Sequence, residues 1–376
     1  MIYFDNAATT KPYKEVIETI TDVLNDSWGN ASSAYEFGRQ SKEIIENVRD
    51  QIATDINCKP EEIIFTASGC EANSLAINSI PDNYELFTTR LEHPSILEAI
   101  PHIGKTHYIQ NDNLGNITPK ALHRILKWNK TYKTAKPFVS IGAANSEIGT
   151  IQDIKSLAKI AHMFDGIFHC DATALYPHRK LDVADLGIDM MTVSAQKFHA
   201  TEGVGFLYVK SGIDIKPIIY GTQEHGLRGG SYNTALIAGM GKALEITRAN
   251  NGDMNCWHTR NSMLRALLKI SGTKLNGPSF DTNRLDNNIN ITIDGVDAAT
   301  LSGLCDMYDL CISKGSACKS YSNTPSTTLK AIGLTDEQAL QTIRITLDES
   351  TTYLDIEKSM GILLFLIEDI RKSLDK

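Results

Sequence analysis

The chain has 376 residues, 42% hydrophobic and 22% charged, a composition that excludes a disordered polypeptide, a collagen-like repeat and a coiled-coil rod. Its 37 Lys and Arg against 45 Asp and Glu leave a net charge of −8. There is no basic field to draw it to nucleic acid or to an anionic membrane, and neither is expected as a direct partner. The length exceeds what one hydrophobic core organises, so two domains are expected.

Met1-Ile2-Tyr3-Phe4-Asp5 offers no basic segment followed by an apolar core, so no signal peptide is expected. The longest apolar run, Ile362 to Ile367, is too short to span a bilayer and reads as a buried helix. A cytoplasmic protein is the expectation. Seven cysteines without CxxC spacing indicate neither a disulfide framework nor a zinc site, and no metal is expected.

Along the chain, Ile44, Ile45, Val48, Ile52 and Ile56 recur at helical spacing and lead into a short buried-strand pattern, Glu61–Thr66. Strands follow near Glu85–Thr89, Phe138–Ala143 and Ile167–Cys170, with helices at Pro94–Ile100, Pro119–Trp128 and Ile154–Met163 between them. This alternation predicts an α/β fold with a mainly parallel sheet and helices on both faces. Met190–Lys210 reads as two strands around a turn, and Ala235–Arg248 as a long helix running into the polar stretch Ala249–Asp253, where the domain boundary is placed. The large domain is therefore 1–250 and the smaller α/β domain 251–376, with the first 13 or so residues packing on the latter. The small domain is given strands near Asn288–Ile293, Leu310–Ser313 and Thr342–Leu347, and helices near Ala298–Tyr308 and Leu354–Leu374.

Several strand ends carry chemistry. Lys197, in Ser194-Ala195-Gln196-Lys197-Phe198-His199, leaves a strand beside a glycine-containing turn; desolvation there lowers an amine pKa and makes a Schiff-base nucleophile. An exposed lysine at a hairpin mouth is the plainer alternative. Asp171 ends another strand at the sheet edge where α/β proteins bind ligands, and is suited either to hold the protonated nitrogen of a pyridine cofactor or simply to cap a turn. Thr66-Ala67-Ser68-Gly69-Cys70-Glu71 joins a strand to a helix whose first N–H groups suit a phosphate. Leu227-Arg228-Gly229-Gly230-Ser231 is a second candidate phosphate contact or a polar turn. His93 is placed either to stack on a cofactor ring and move protons or as a structural histidine.

The order and spacing of these pieces, from Ile2-Tyr3-Phe4-Asp5-Asn6-Ala7-Ala8-Thr9-Thr10 to Thr342-Ile343-Arg344-Ile345-Thr346-Leu347, resemble the NifS/IscS-like cysteine desulfurases of aminotransferase class V. The most specific elements are the opening segment, Trp28-Gly29-Asn30-Ala31-Ser32-Ser33, Glu147-Ile148-Gly149, the Asp171 and Lys197 segments, and Lys314-Gly315-Ser316-Ala317-Cys318-Lys319-Ser320. The resemblance implies pyridoxal-phosphate fold type I, with a mixed, mainly parallel sheet in the large domain. It implies pyridoxal 5'-phosphate held covalently by Lys197, Asp171 on the pyridine nitrogen and His93 as stacking acid/base. Gly69, Cys70 and Ser194 would contact the phosphate, with Gln196 also in the cofactor site and Ser231 reaching in from a neighbour of a homodimer. Arg344, with Asn145 and Ser146, would bind the carboxylate of L-cysteine. Cys318 would take the sulfur as a persulfide, pass it to an acceptor protein and leave alanine.

The Cys318 assignment also has support from composition. It lies in a Gly-, Ser-, Thr-, Asn- and Pro-rich stretch running to Pro325, more loop than core, and Lys314 and Lys319 lower a thiol pKa from about 8.5. Five positions depart from the family pattern: Ala174 replaces a glutamine near the cofactor's phenolic oxygen, Ser146 an asparagine, Gln196 a histidine, Cys70 a threonine and His225 an arginine. Each lost neutral hydrogen bond changes a free energy by about 0.5–1.5 kcal/mol. These departures keep two alternatives open: another class V enzyme, such as a selenocysteine lyase or aminotransferase, and a weakly active partner subunit of a sulfur-transfer complex.

Overall fold

The architecture comes from a computed structural model, which describes residues 1–102, 104–132, 135–250, 256–279, 282–315 and 324–374. The strands are β1 (Ile2–Tyr3), β2 (Ile63–Thr66), β3 (Tyr84–Thr88), β4 (Thr106–Tyr108), β5 (Lys136–Ser140), β6 (Ile167–Asp171), β7 (Met190–Ser194), β8 (Gly205–Val209), β9 (Thr273–Leu275), β10 (Asn288–Ile293), β11 (Leu310–Cys311) and β12 (Thr342–Thr346). The helices are α1 (Lys14–Asp26), α2 (Glu36–Ile56), α3 (Gly69–Asn78), α4 (Pro94–Leu97), α5 (Pro119–Tyr132), α6 (Ile154–His162), α7 (Val183–Leu186), α8 (Thr234–Ala249), α9 (Trp257–Leu267), α10 (Ala298–Asp306), α11 (Thr327–Ala331), α12 (Asp336–Leu340) and α13 (Tyr353–Leu374).

Near-continuous apolar runs such as Ile63-Ile64-Phe65 and Met190–Val193 are buried at every position, as strands covered on both faces must be. They build a seven-stranded sheet in the order β2-β8-β7-β6-β5-β3-β4. Strands β3 to β7 run parallel, and β8 is antiparallel to both β7 and β2. Side-chain alternation sends Phe65, Val139, Met191 and Val193 into one core with Ile52 of α2, Leu126 of α5 and Leu157 of α6. Their neighbours Ile64, Phe138 and Met190 point into another core with Leu75 and Ile77 of α3.

A separate core gathers Ile289, Ile291, Ile343 and Ile345 from the sheet β12-β10-β9 with Leu264 of α9, Leu301 of α10 and Leu363 of α13. Phe4 belongs to this core, β1 pairs in parallel with β11, and Asn6 Nδ2 donates to the Thr346 carbonyl at 2.9 Å. The chain's first residues therefore run from this separate core toward the C-terminal ends of β6 and β7.

Differences from the sequence reading are local. The helix expected over Pro94–Ile100 stops at Leu97, short of Pro101, which has no N–H to continue it. The strand expected over Phe138–Ala143 begins at Lys136 and ends at Ser140. Residues 195–204, between β7 and β8, are more than a hairpin turn, because a 3₁₀ turn, Ala195–Lys197, opens them. Residues 251–255, in and beside the stretch chosen as the domain boundary, lie outside the described residues.

Candidate active site

At the C-terminal ends of β3, β6 and β7 lies a cavity of about 430 Å³. Lys197 enters it from the 3₁₀ turn after β7, and its Nζ donates to the Ala8 carbonyl and, at 2.7 Å, to that of Ala7. Gln196 Nε2 reaches the Ala8 carbonyl at 3.4 Å, and Thr10 N–H returns a bond to the Gln196 carbonyl at 3.0 Å. The opening segment thus wraps the lysine. Behind it, His178 also lines the cavity and donates from Nε2 to the Lys197 carbonyl at 3.1 Å, while burial lowers its imidazole pKa to about 4.

Asp171, the last residue of β6, uses both carboxylate oxygens: Oδ2 accepts from Asn73 Nδ2 at 2.7 Å and Oδ1 from Thr173 N–H at 3.0 Å. His93 caps α4, with Nδ1 accepting from Ser95 N–H at 3.1 Å. Its neighbour Glu92 is buried, which raises its carboxyl to about 8 against hydrogen bonds from Thr89 Oγ1 at 2.7 Å and Gly142 N–H at 2.9 Å. The Asp171 charge pushes the same way.

Ser68, Gly69 and Cys70 bring the N-terminus of α3 to the cavity wall, capped by Ser68 accepting from Glu71 N–H at 3.1 Å. A Cβ at Gly69 would lie 3.0 Å from Ser194 Cβ and 3.3 Å from Thr173 Oγ1, so the absence of a side chain there keeps backbone close to the two hydroxyl residues. On the opposite wall, Arg344 of β12 is 3% exposed and donates from Nη2 to Asp5 Oδ1 at 2.7 Å, while its Nε has no hydrogen-bond partner among the described residues. Asn145 and Ser146 line the same cavity. Asn145 Oδ1 accepts from the N–H groups of Glu147 and Ile148, both at 2.9 Å, and so shapes this turn.

One expected site residue that is described is not brought to this cavity. Ser231 lines a separate pocket of about 220 Å³ with Arg228, whose Nε is tied to Glu71 Oε1 at 2.7 Å. Cys318 lies outside the described residues. Its flanks can be described: Lys314, Gly315, Thr324 and Ser326 line an adjoining cavity of about 520 Å³, whose wall of Glu92, Pro94, Glu147 and Thr328 also lines the first. Glu147 Oε2 accepts from Ser326 Oγ at 2.8 Å, and burial holds its carboxyl above the ordinary range.

The donor set fits a phosphorylated pyridine aldehyde. Lys197 offers an amine, Asp171 a carboxylate fixed at both oxygens, and the Gly69–Ser194 cradle an anion seat at a helix N-terminus. Among the described residues no cluster of three or more His, Cys, Asp or Glu could hold a metal ion. Asn73, Ser95 and His178 were not singled out from sequence. Asn73 stands one helical turn after Gly69, on the same helix face, a spacing that could have found it. His178 and Ser95 carry no such signal.

The chain is similar over nearly its whole length to proteins of known kind. It is 37% identical to a cysteine desulfurase IscS of Dictyoglomus turgidum over 98% of this chain and 95% of that protein. The structure of a NifS-like protein from Rickettsia africae superposes with a TM-score of 0.89 at 30% identity, covering 98% of this chain and 99% of that one. A structure of SspA in complex with cysteine gives 0.79 at 30% identity, covering 94% and 100%. The family model for aminotransferase class V matches residues 2–358, and the chain belongs to that family.

Proposed function

We propose that the chain is a pyridoxal-phosphate-dependent cysteine desulfurase that takes sulfur from free L-cysteine onto Cys318. The observation that carries this reading is the convergence of Lys197, Asp171, His93 and Arg344, drawn from distant parts of the sequence, on one cavity. Bound there, the cofactor supplies an electron sink for the substrate's α-carbon. Lys197 would hold it covalently, Asp171 would pair with its ring nitrogen, and Ser68 to Cys70 with Ser194 would seat its phosphate. Arg344, oriented by Asp5, receives the substrate carboxylate beside Asn145 and Ser146. His93 moves protons at Nε2 and Lys197 at Nζ.

Cys318 thiolate attacks the substrate sulfur, forming an S–S bond as the Cβ–S bond breaks and its electron pair stays with carbon. Protonation of that carbon releases alanine, and the persulfide on Cys318 awaits an acceptor protein. The similarity to an IscS protein and to a structure holding cysteine supports the substrate. Among the described residues no helix is long and apolar enough to cross a membrane, which is consistent with a cytoplasmic site of action. Ser231 does not line the Lys197 cavity of its own chain, which fits a homodimer in which each subunit lends this turn to the other.

The purified protein should be yellow and release alanine and sulfide from L-cysteine with a thiol reductant. Lys197→Ala should lose both the colour that borohydride bleaches and turnover. Cys318→Ala should keep the colour and still change spectrum on adding cysteine, but release no sulfide; undiminished sulfide from this variant would refute the role of Cys318.

A further inference from the structure

An unbroken line of hydrogen bonds runs from Asp171 to His93. Asn73 is 1% exposed, and its amide nitrogen carries two protons, one donated to Asp171 Oδ2 at 2.7 Å and one to Ser95 Oγ at 2.9 Å. The reverse amide orientation would turn an oxygen toward a carboxylate, so these acceptors fix Asn73 in place. Because Ser95 Oγ accepts from Asn73, its own proton is available for His93 Nδ1, 2.7 Å away. The Ser95 N–H also points at Nδ1, at 3.1 Å. A nitrogen that accepts from a backbone N–H carries no proton, so the ring proton of neutral His93 is on Nε2.

Asn73 Oδ1 is buried with no partner among the described residues. Stranding an acceptor is unfavourable, and the two bonds made by the amide nitrogen, one of them to a carboxylate, offset it. An apolar residue would pack here without that penalty.

We propose that Asn73 and Ser95 are positioning residues of the reaction centre, holding Asp171 and His93 in one hydrogen-bonded frame and keeping the His93 proton on Nε2. The proposal rests on the desulfurase reading for its consequence in catalysis. In this frame His93 donates from Nε2 and its one ring lone pair, on Nδ1, is engaged by Ser95, so His93 serves as a proton donor rather than as a base. The frame also transmits any change at Asp171 to His93 through two intervening side chains, Asn73 and Ser95.

The test uses the cofactor-loaded enzyme labelled with ¹⁵N-histidine, the His93 signals being assigned by their loss in His93→Asn. Long-range ¹H–¹⁵N correlation should show the wild-type ring protonated on Nε2 with Nδ1 accepting. Ser95→Ala should move the Nδ1 resonance toward that of a less strongly bonded nitrogen, leave the visible spectrum in place and lower kcat roughly tenfold with KM little changed, less than the 10²–10⁴ of a lost acid or base. Ser95→Thr should restore both readings. Asn73→Leu should move the Nδ1 resonance and also the pH midpoint of the chromophore, because Asp171 loses a donor. A wild-type proton on Nδ1, or a Ser95→Ala enzyme with unchanged Nδ1 resonance and kcat, overturns the proposal; the Ser95 pair decides it even where Asn73→Leu does not fold. Failure of the wild type to make alanine from cysteine would overturn the desulfurase reading and leave the resonance test of the frame standing.

Discussion

Two residues beyond Lys197, His199 makes an ion pair whose loss should make the protein's stability depend on pH in a defined window. Its Nδ1 donates to the Lys11 carbonyl at 2.9 Å, its ring stacks on Tyr13 with centroids 4.4 Å apart, and its Nε2 lies 3.4 Å from Glu349 Oε2. With Nδ1–H committed to Lys11, a neutral ring would present a lone pair to the carboxylate, so the pair forms only when His199 is protonated. Burial works against that charge, but the adjacent Glu349 carboxylate more than offsets it and raises the imidazole above 6.5. Burial likewise disfavours the Glu349 carboxylate, yet His199 and Tyr13 hold it down from 4.5 to about 2. That fall corresponds to roughly 3 kcal/mol in favour of the ionised form, a ceiling for the pair because Tyr13 shares in it.

The raised His199 contributes fully below about pH 6.5, and its contribution is lost as pH climbs through its folded value. The depressed Glu349 contributes above about pH 4.5, and its contribution is lost as pH falls toward about 2. The pair is therefore strongest from about pH 4.5 to 6.5. Glu349→Gln should cost roughly 1–3 kcal/mol at pH 6 and distinctly less at pH 9, read as urea midpoints with an unchanged m-value. His199→Asn should flatten the same window. A Glu349→Gln protein whose midpoint falls between pH 6 and 9 as steeply as the wild type's would refute the pairing. The pair matters to the site because Thr10, Lys11 and Tyr13, which His199 gathers, continue the segment whose Ala7 and Ala8 carbonyls hold Lys197.

Two further outcomes follow from other contacts. Arg49 and Glu224 are buried and joined by two bonds of 2.9 and 2.8 Å, with Glu224 also accepting from Phe65 N–H at 3.1 Å. Arg49→Met should cost about 3–5 kcal/mol in urea unfolding by stranding the carboxylate, and Arg49→Met with Glu224→Gln should cost less than the single change. Arg344→Lys keeps the charge but loses the planar fork that meets Asp5 and is proposed to meet a substrate carboxylate, so KM for cysteine should rise about tenfold or more while the visible spectrum stays unchanged; an unchanged KM would remove Arg344 from carboxylate binding.

Six of the seven strands of the main sheet were legible because they are largely buried apolar runs, while the partly exposed edge strand β4, Thr106-His107-Tyr108, gave no such signal, and the proposed ligand-binding residues stand where the buried runs end. Lys197, Asp171, Gly69 and His93 all occupy those ends. What the sequence hides is contact between segments far apart in number. The Asp5–Arg344 pair, separated by most of the chain, depends on β1 pairing with β11 and on Asn6 reaching Thr346. Nothing in the two residues of β1 states that partner. The Asn73–Ser95–His93 line is hidden for the same reason, since a hydroxyl's value depends on which nitrogen it meets.

The departures from the family pattern show the other side of this. Read one position at a time, Ala174 is a loss, because alanine has no group to offer a cofactor oxygen. In the folded chain, Ala174 and His178 both line the cavity, in a stretch of turns closed by Tyr176 N–H on the Ala172 carbonyl at 2.8 Å and Arg179 N–H on the Leu175 carbonyl at 3.1 Å. His178 there binds the peptide of Lys197 itself. A polar group thus lines the cavity four residues further on, attached to the lysine's backbone rather than standing at position 174. Comparing residue types at matched positions does not register a polar group that the fold brings to the cavity from another position, because what lines a site is fixed by place in space and not by place in sequence.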